Sequence, residues 1–184
     1  MGLLTFALNV TLDGCVDHRV AIADDGLLDY FTELVDGAGA VLYGRTTYEL
    51  MEDAWPAVAR DEGAPRAARE WARMLEDKPK YVVSASRRDF PWNNTIRLAG
   101  ELAKAVRELK EQTPRGVLVG SPMLSAALEG LGLIEDYRLV VHPVIAGHGP
   151  TLFQGIERRR ELELVSTHQL QSGAMAMHYR RRGG

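Results

Sequence analysis

Two stretches of this 184-residue chain run from an apolar strand through glycine into a helix: Val41-Leu42-Tyr43-Gly44-Arg45-Thr46-Thr47 and Val117-Leu118-Val119-Gly120-Ser121-Pro122-Met123. Glycine lets the backbone approach a ligand closely. The start of a helix offers unpaired N–H groups and a partial positive charge. Each junction is therefore a candidate phosphate site, although short strand-to-helix turns also use glycine for geometry alone. Two such junctions in one sheet suit a ligand with two phosphates. A third segment, Tyr81-Val82-Val83-Ser84-Ala85-Ser86, ends in Arg87-Arg88. Serine hydroxyls and arginine forks can hold a ribose phosphate, a solvated turn being the plain alternative. Neither glycine turn spells G-x-G-x-x-G, and no acidic residue is placed for a free ribose hydroxyl, which argues against a Rossmann-type NAD site.

Other chemistry-bearing residues are sparse. The histidines, His18, His142, His148, His168 and His178, are dispersed, and no pair has ligand spacing on one element, so no metal is expected. His142 ends an apolar strand and is a candidate proton donor, or equally a satisfied strand-end histidine. His148 stands in a glycine-rich loop and reads as exposed. Trp55-Pro56 either walls a pocket or, more simply, supplies a core aromatic. Cys15, the single cysteine, follows Asp13-Gly14 with no activating base in view. It reads as an incidental thiol, and its solitude fits a reducing cytoplasm.

The elements that must position these residues alternate. Thr5 to Val10 reads as a strand, broken by Thr11-Leu12-Asp13-Gly14. Asp24-Asp25 can cap a helix from about Gly26 to Asp36, with Leu27, Leu28, Phe31, Leu34 and Val35 on one stripe. Ala40 to Tyr43 is a buried strand, and the Gly44 turn leads into a helix through Met51. Pro65 starts a helix to about Leu75. Lys80 to Ser84 is a third strand, Ala99 to Gln112 a helix, Gly116 to Val119 a fourth strand, and Pro122 starts the next helix. Asp136 to His142 is a fifth strand. Glu161 to Leu170 and Ala174 to Tyr179 alternate around Ser172-Gly173 as a hairpin. This order predicts a three-layer α/β/α fold with a mostly parallel central sheet and an antiparallel end. Ligands in such sheets bind outside the carboxyl ends of the strands.

Composition adds exclusions. Apolar residues make up 46% and charged residues 26%, with a formal net charge of −3, so nothing points to nucleic acid. The Arg180-Arg181-Arg182 run reads as a solvated tail. No apolar stretch is long enough to span a bilayer, and the first residues lack the features of a signal peptide or of myristoylation. The expectation is one cytoplasmic domain over residues 1–184.

Gly44-Arg45-Thr46-Thr47-Tyr48-Glu49 resembles the Gly-Arg-x-Thr-[Trp/Tyr]-Glu motif of dihydrofolate reductases, at the same strand-to-helix junction. Leu12-Asp13-Gly14 resembles the riboflavin-pathway reductase domain, which shares that fold. So do Val119-Gly120-Ser121, Asp136-Tyr137-Arg138-Leu139 and the loop from Pro143 to Phe153. The nearest match is the bacterial deaminase–reductase C-terminal domain group. The resemblance implies a dihydrofolate-reductase-like fold, NADPH binding and a homodimer. It places Gly44, Arg45, Thr46 and Thr47 on phosphates, and Ser84, Ser86 and Arg87 on the adenosine side. Gly120, Ser121, Met123 and Leu124 would face the diphosphate and nicotinamide. Asn9 and Asp13 would lie near nicotinamide and substrate, as would the Leu27 and Phe31 positions.

The chain departs from both named patterns. Folate reductases carry a pterin-binding acid four positions before a phenylalanine on the first long helix, and four before Phe31 stands Leu27. The riboflavin-pathway enzyme has Asp-Asp-Pro-x-Leu-Thr where this chain has its Arg-Thr-Thr-Tyr helix. Two readings follow: an NADPH-dependent reductase of a small heterocyclic or carbonyl substrate, with Asp13 or His142 as a proton source, or a non-catalytic dinucleotide sensor derived from one.

Overall fold

The structure is a computed structural model and describes residues 1–183. Eight strands form one sheet: β1 (Leu4–Thr11), β2 (Ala40–Gly44), β3 (Lys80–Val83), β4 (Thr95–Leu98), β5 (Val117–Val119), β6 (Asp136–His142), β7 (Leu162–Gln169) and β8 (Met175–Arg181). Their spatial order is β4-β3-β2-β5-β1-β6-β8-β7. The first six run parallel, β8 pairs antiparallel with β6, and β7 pairs antiparallel with β8. Gly173 turns the closing hairpin at φ +82°, its N–H donating to the Leu170 carbonyl at 3.0 Å.

Five helices cover the two faces: α1 (Asp25–Gly37), α2 (Arg45–Arg60), α3 (Arg66–Asp77), α4 (Leu102–Gln112) and α5 (Pro122–Gly130). Apolar residues of α1, α2 and α3, among them Val35, Tyr48, Trp71 and Leu75, pack with Val41, Tyr43 and Leu118 on one face. Val106, Leu109, Leu124 and Leu128 of α4 and α5 pack with Leu4, Phe6 and Leu42 on the other. The mostly parallel, three-layer architecture with an antiparallel end is the one the alternation predicts. Helix α1 starts where its cap demands, the Asp24 carboxylate accepting from the Leu27 N–H at 2.7 Å.

The largest differences from the sequence expectation concern α2, α4 and β4. Helix α2 continues nine residues past Met51, through Pro56, to Arg60. Trp55 on this extension packs edge-on against Trp71 at 6.0 Å, so it is a core aromatic. Helix α4 begins at Leu102 rather than Ala99, because Gly100 takes φ +101° and the Glu101 carboxylate caps the Ala103 and Lys104 N–H groups at 2.9 Å each. Strand β4 was not expected, being four residues long, at the sheet edge and without a buried residue.

Charged groups tie the layers where apolar packing ends. The Lys80 ammonium is buried; it donates to the carbonyls of Leu75 and Lys78 and lies 4.6 Å over the Trp92 ring. Burial lowers its pKa to about 8. Glu129, buried on α5, accepts from the Tyr137 hydroxyl at 2.6 Å, from Arg160 at 3.1 Å and from Arg181 at 2.8 Å. It thereby fastens α5 to β6 and β8. Glu129→Ala leaves two guanidinium groups and a hydroxyl without their acceptor, at a cost of about 3–5 kcal/mol for breaking a buried pair. Because both arginines keep some solvent contact, we expect the low end of that range, read as a fall in the urea midpoint at unchanged slope.

Candidate functional site

The carboxyl ends of the central strands β2, β5, β1 and β6 lie side by side, and two helix starts meet there. Gly44 ends β2 and precedes α2; Ser121 follows β5 and precedes α5. The Gly44 N–H donates to the buried Ser121 hydroxyl at 2.9 Å, so the junctions are joined directly. Neither helix has a side-chain cap: Gly44 has no side chain, and the Ser121 hydroxyl is engaged by Gly44. The N–H groups of Arg45, Thr46 and Thr47 and of Met123 and Leu124 therefore lack intrahelical acceptors, while Pro122 has none to offer. Arg45, Thr46 and Met123 are exposed, Thr47 is half-buried and Leu124 packs beneath them. The Arg45 guanidinium makes a helix-surface pair with Glu49 at 3.4 Å.

The two glycines bear on what the edge can hold. A Cβ on Gly44 would meet Leu124 and Ser121 at ordinary contact distances of 3.6 and 3.7 Å, and one on Gly120 would lie 3.4 Å from the Ala7 carbonyl. Neither residue has a left-handed φ. The fold itself thus makes little demand for glycine at either place. Close approach of a group from outside the chain would account for glycine there, and the unpaired N–H groups suit an anion. On these observations the residues fit a diphosphate-bearing cofactor.

The adenosine side expected from the third strand is less open. The Ser84 hydroxyl accepts from the Arg87 N–H at 2.9 Å. The Arg87 guanidinium pairs with Glu52 at 2.8 Å and Glu49 at 3.6 Å and lies over Tyr48 and Phe90 at 5.2 and 5.4 Å. Arg87 thus ties this turn to α2, and Ser84 accepts a bond within the turn itself. Ser86 remains exposed.

Asn9 and His142 meet on β1 and β6. His142 is wholly buried; its Nδ1 accepts from the Ile22 N–H at 3.3 Å and its Nε2 lies 3.1 Å from Asn9 Oδ1. Since a backbone amide can only donate, the ring proton sits on Nε2 and is given to Asn9. Asn9, half-buried, has its carbonyl oriented by this bond, and its NH₂ has no acceptor among the described residues. Burial lowers the His142 pKa, with Asp24 opposing weakly. His142 thus orients Asn9, and burial disfavours its protonated form.

Asp13 is likewise engaged within the chain. Its carboxylate accepts from the Thr11 hydroxyl and from the Ala146 and Gly147 N–H groups at 3.1 and 2.8 Å. These bonds hold its pKa down to about 2, so it stays ionised and pins the glycine loop to the end of β1. Gly149 of that loop has φ +101° and faces Cys15 Sγ so closely that any Cβ would clash at 2.8 Å. Cys15 is therefore a buried packing partner of the loop. Leu27 is buried against Val140, Leu170, Ala174 and Ala176, with Phe31 half-buried beside it, so no carboxylate faces this corner from α1. Sequence reasoning missed the Ser121–Gly44 bond and the Ile22 amide. The one available signal was Ser121 at a helix start, where a capping role was the default.

A parallel sheet covered on both faces, an antiparallel end and an anion-ready carboxyl edge define a dihydrofolate-reductase-like α/β protein. Within that class the chain belongs to the RibD C-terminal domain family, whose model matches residues 3–176. It is 28% identical over 176 residues, 94% of this chain and 91% of the relative, to the uncharacterized protein YyaP of Bacillus subtilis. Dihydrofolate reductase from Enterococcus faecalis, solved with NADP(H), superposes with a TM-score of 0.68 at 14% identity over 99% of this chain and 98% of that one. The Thermotoga maritima diaminohydroxyphosphoribosylaminopyrimidine deaminase/5-amino-6-(5-phosphoribosylamino)uracil reductase gives 0.67 at 18%, covering 98% of this chain and 56% of that longer one.

The His142 geometry predicts a pH dependence of stability. The unfolded chain takes up a proton at the ordinary histidine value of 6.5, which the folded site resists. More protons bound when unfolded means stability falls as the pH drops below that value. Thermal melts from about pH 7 to about pH 5 should show this loss, with a shallower slope in His142→Gln. Identical slopes would mean that His142 takes up its proton in the folded state.

Proposed function

We propose that this chain is an NADPH-dependent oxidoreductase acting on a small heterocyclic or carbonyl substrate. The observation that carries the reading is the pair of uncapped helix starts, joined by the Gly44–Ser121 bond, beside the open amide of Asn9. NADPH, when bound, supplies the hydride. The chain's part is orientation and electrostatics. The N–H groups at the starts of α2 and α5 bind the diphosphate, with Arg45 and Thr46 at its exposed side. The Asn9 NH₂, fixed by His142, donates to a carbonyl or ring-nitrogen acceptor of the substrate. With Leu27 buried and apolar, a pterin finds no carboxylate for its amino group. Asp13 is ionised and His142 neutral, so solvent supplies the proton that accompanies reduction.

Selectivity for NADPH over NADH rests on Arg45 in this reading. The 2′-phosphate is the chemical difference between the two cofactors, and a guanidinium fork matches it. Arg87 is held by Glu49 and Glu52 and Ser84 by a backbone amide, so Arg45 carries this task with help from Arg88. The Arg45–Glu49 pair is exposed and easily exchanged for a phosphate. A charged hydrogen bond is worth about 1.5–3 kcal/mol, and exposure favours the low end, roughly tenfold in affinity. Calorimetry on the wild type and Arg45→Ala should show preference for NADPH in the former and near-equal binding in the latter. Equal binding by the wild type would refute the assignment.

We also propose a homodimer formed through β7. This edge strand is exposed along nearly its whole length, including Leu164 and Val165, and an uncovered apolar edge invites pairing with another strand. Sedimentation should give twice the chain mass, and Leu164→Lys should shift the equilibrium toward monomer.

A further inference from the structure

Asp136 opens β6 at the amino end of the sheet, the edge opposite the site described above. Its buried carboxylate accepts from His178 Nε2 at 2.8 Å, Arg138 Nε at 3.3 Å and Arg180 Nε at 3.4 Å. The ladder explains the grouping. Asp136 faces Arg180 and Arg138 faces His178 across β6 and β8, so alternation puts all four side chains on one face. That face is the one covered by α1, since Val140 two positions on packs against Leu27.

The patch holds more positive charge than its own acid balances. Each guanidinium has five N–H donors, and each gives Asp136 only its Nε hydrogen. Among the described residues neither arginine pairs with a second carboxylate. Glu163, across the ladder from Arg180, and Glu33, near the end of α1, stand closest by position and make no ion pair with them. Two permanent charges thus share one carboxylate.

They share it in the wall of a cavity of about 360 Å³. Thr5 on β1, Glu33 and Leu34 on α1 and the turn from Pro114 to Gly116 are among the residues that line it. Arg115 stands in that turn, its guanidinium donating to the Asp36 carbonyl. The cavity therefore combines apolar wall residues with two arginine forks held by a buried carboxylate, and Glu33, in the same wall, is not paired with either arginine.

We propose that this cavity is a second binding site, for a small phosphomonoester. The phosphate would lie between Arg138 and Arg180, and its organic part against Leu34 and Pro114. Two forks rooted on neighbouring strands can offer more donors than a planar carboxylate's two oxygens use, which suits a tetrahedral group with three oxygens. The space exceeds what a bare phosphate ion needs. Asp136 and His178 act as positioning residues, fixing the arginines without touching the ligand.

The test is a titration followed by amide ¹H–¹⁵N spectra, with phenyl phosphate as the probe and benzoate as the planar anion of similar size. Phenyl phosphate should shift amides near residues 33–38, 114–117, 136–139 and 180 saturably. Benzoate should bind more weakly. The Arg138→Met/Arg180→Met double variant, which keeps both apolar stems, should lose at least about tenfold in affinity while its spectrum far from the cavity is unchanged. If the double variant does not fold, Arg180→Met alone, about half exposed at 54%, carries the comparison. Saturating NADPH should leave the titration as it was, because the proposed cofactor site lies at the other end of the strands. Absence of saturable shifts, equal binding of benzoate, full affinity in the arginine variant, or competition by NADPH would each overturn the assignment. None of these outcomes depends on whether the chain reduces anything.

Discussion

Everything in this molecule depends on the need of parallel strands for cover on both faces. A parallel pair cannot be closed by a tight turn, so each strand must leave by its carboxyl end and return through a crossover. In the central sheet that crossover is a helix, and the apolar strands β2 and β5, buried along their lengths, require it. Helices α2 and α5 consequently begin at one edge with their N–H groups pointing outward. The Gly44–Ser121 bond follows from that geometry, since β2 and β5 are neighbours and end together.

How far the sequence discloses this depends on how local each determinant is. Strand β6 is legible to the residue because an apolar run is bounded by Asp136 and His142-Pro143. The start of α1 is legible because Asp24 caps it through a contact three residues away. Strand β4 is not, because Thr95-Ile96-Arg97-Leu98 at a half-exposed edge buries too little to leave a pattern. The length of α2 is hidden by Pro56, which signals a break that tertiary packing of Trp55 on Trp71 overrides. The pairing of Arg87 is hidden for a different reason: its partner Glu52 lies 35 residues earlier on another element. The role of His142 likewise turns on the Ile22 amide, 120 residues away.

The acids near the carboxyl edge show a common arrangement. Asp13 is ionised but surrounded by a hydroxyl and two amides, and Glu49 and Glu52 are turned to Arg87. Their charge is met within the protein, so it is not left to repel an anion at the neighbouring helix starts. The same bonds that tie the glycine loop and the Ser84–Arg87 turn to the sheet would, in the proposed function, leave the edge open to phosphate.

At the substrate corner the logic is inverted. A folate-type site presents an acid to hydrogen-bond donors, whereas here Leu27 packs into the core and Asn9 offers its NH₂. The polarity of that amide is not free to adapt. Turning it over would set Nδ2 against the Nε2–H of His142, and His142 cannot answer by shifting its proton, because Nδ1 must stay unprotonated to accept from Ile22. A chain of single donors and acceptors thus runs from a backbone amide through a buried ring to the open end of Asn9. It fixes a donor where an adaptable side chain would have allowed either, which in the proposed function would favour acceptor-bearing ligands.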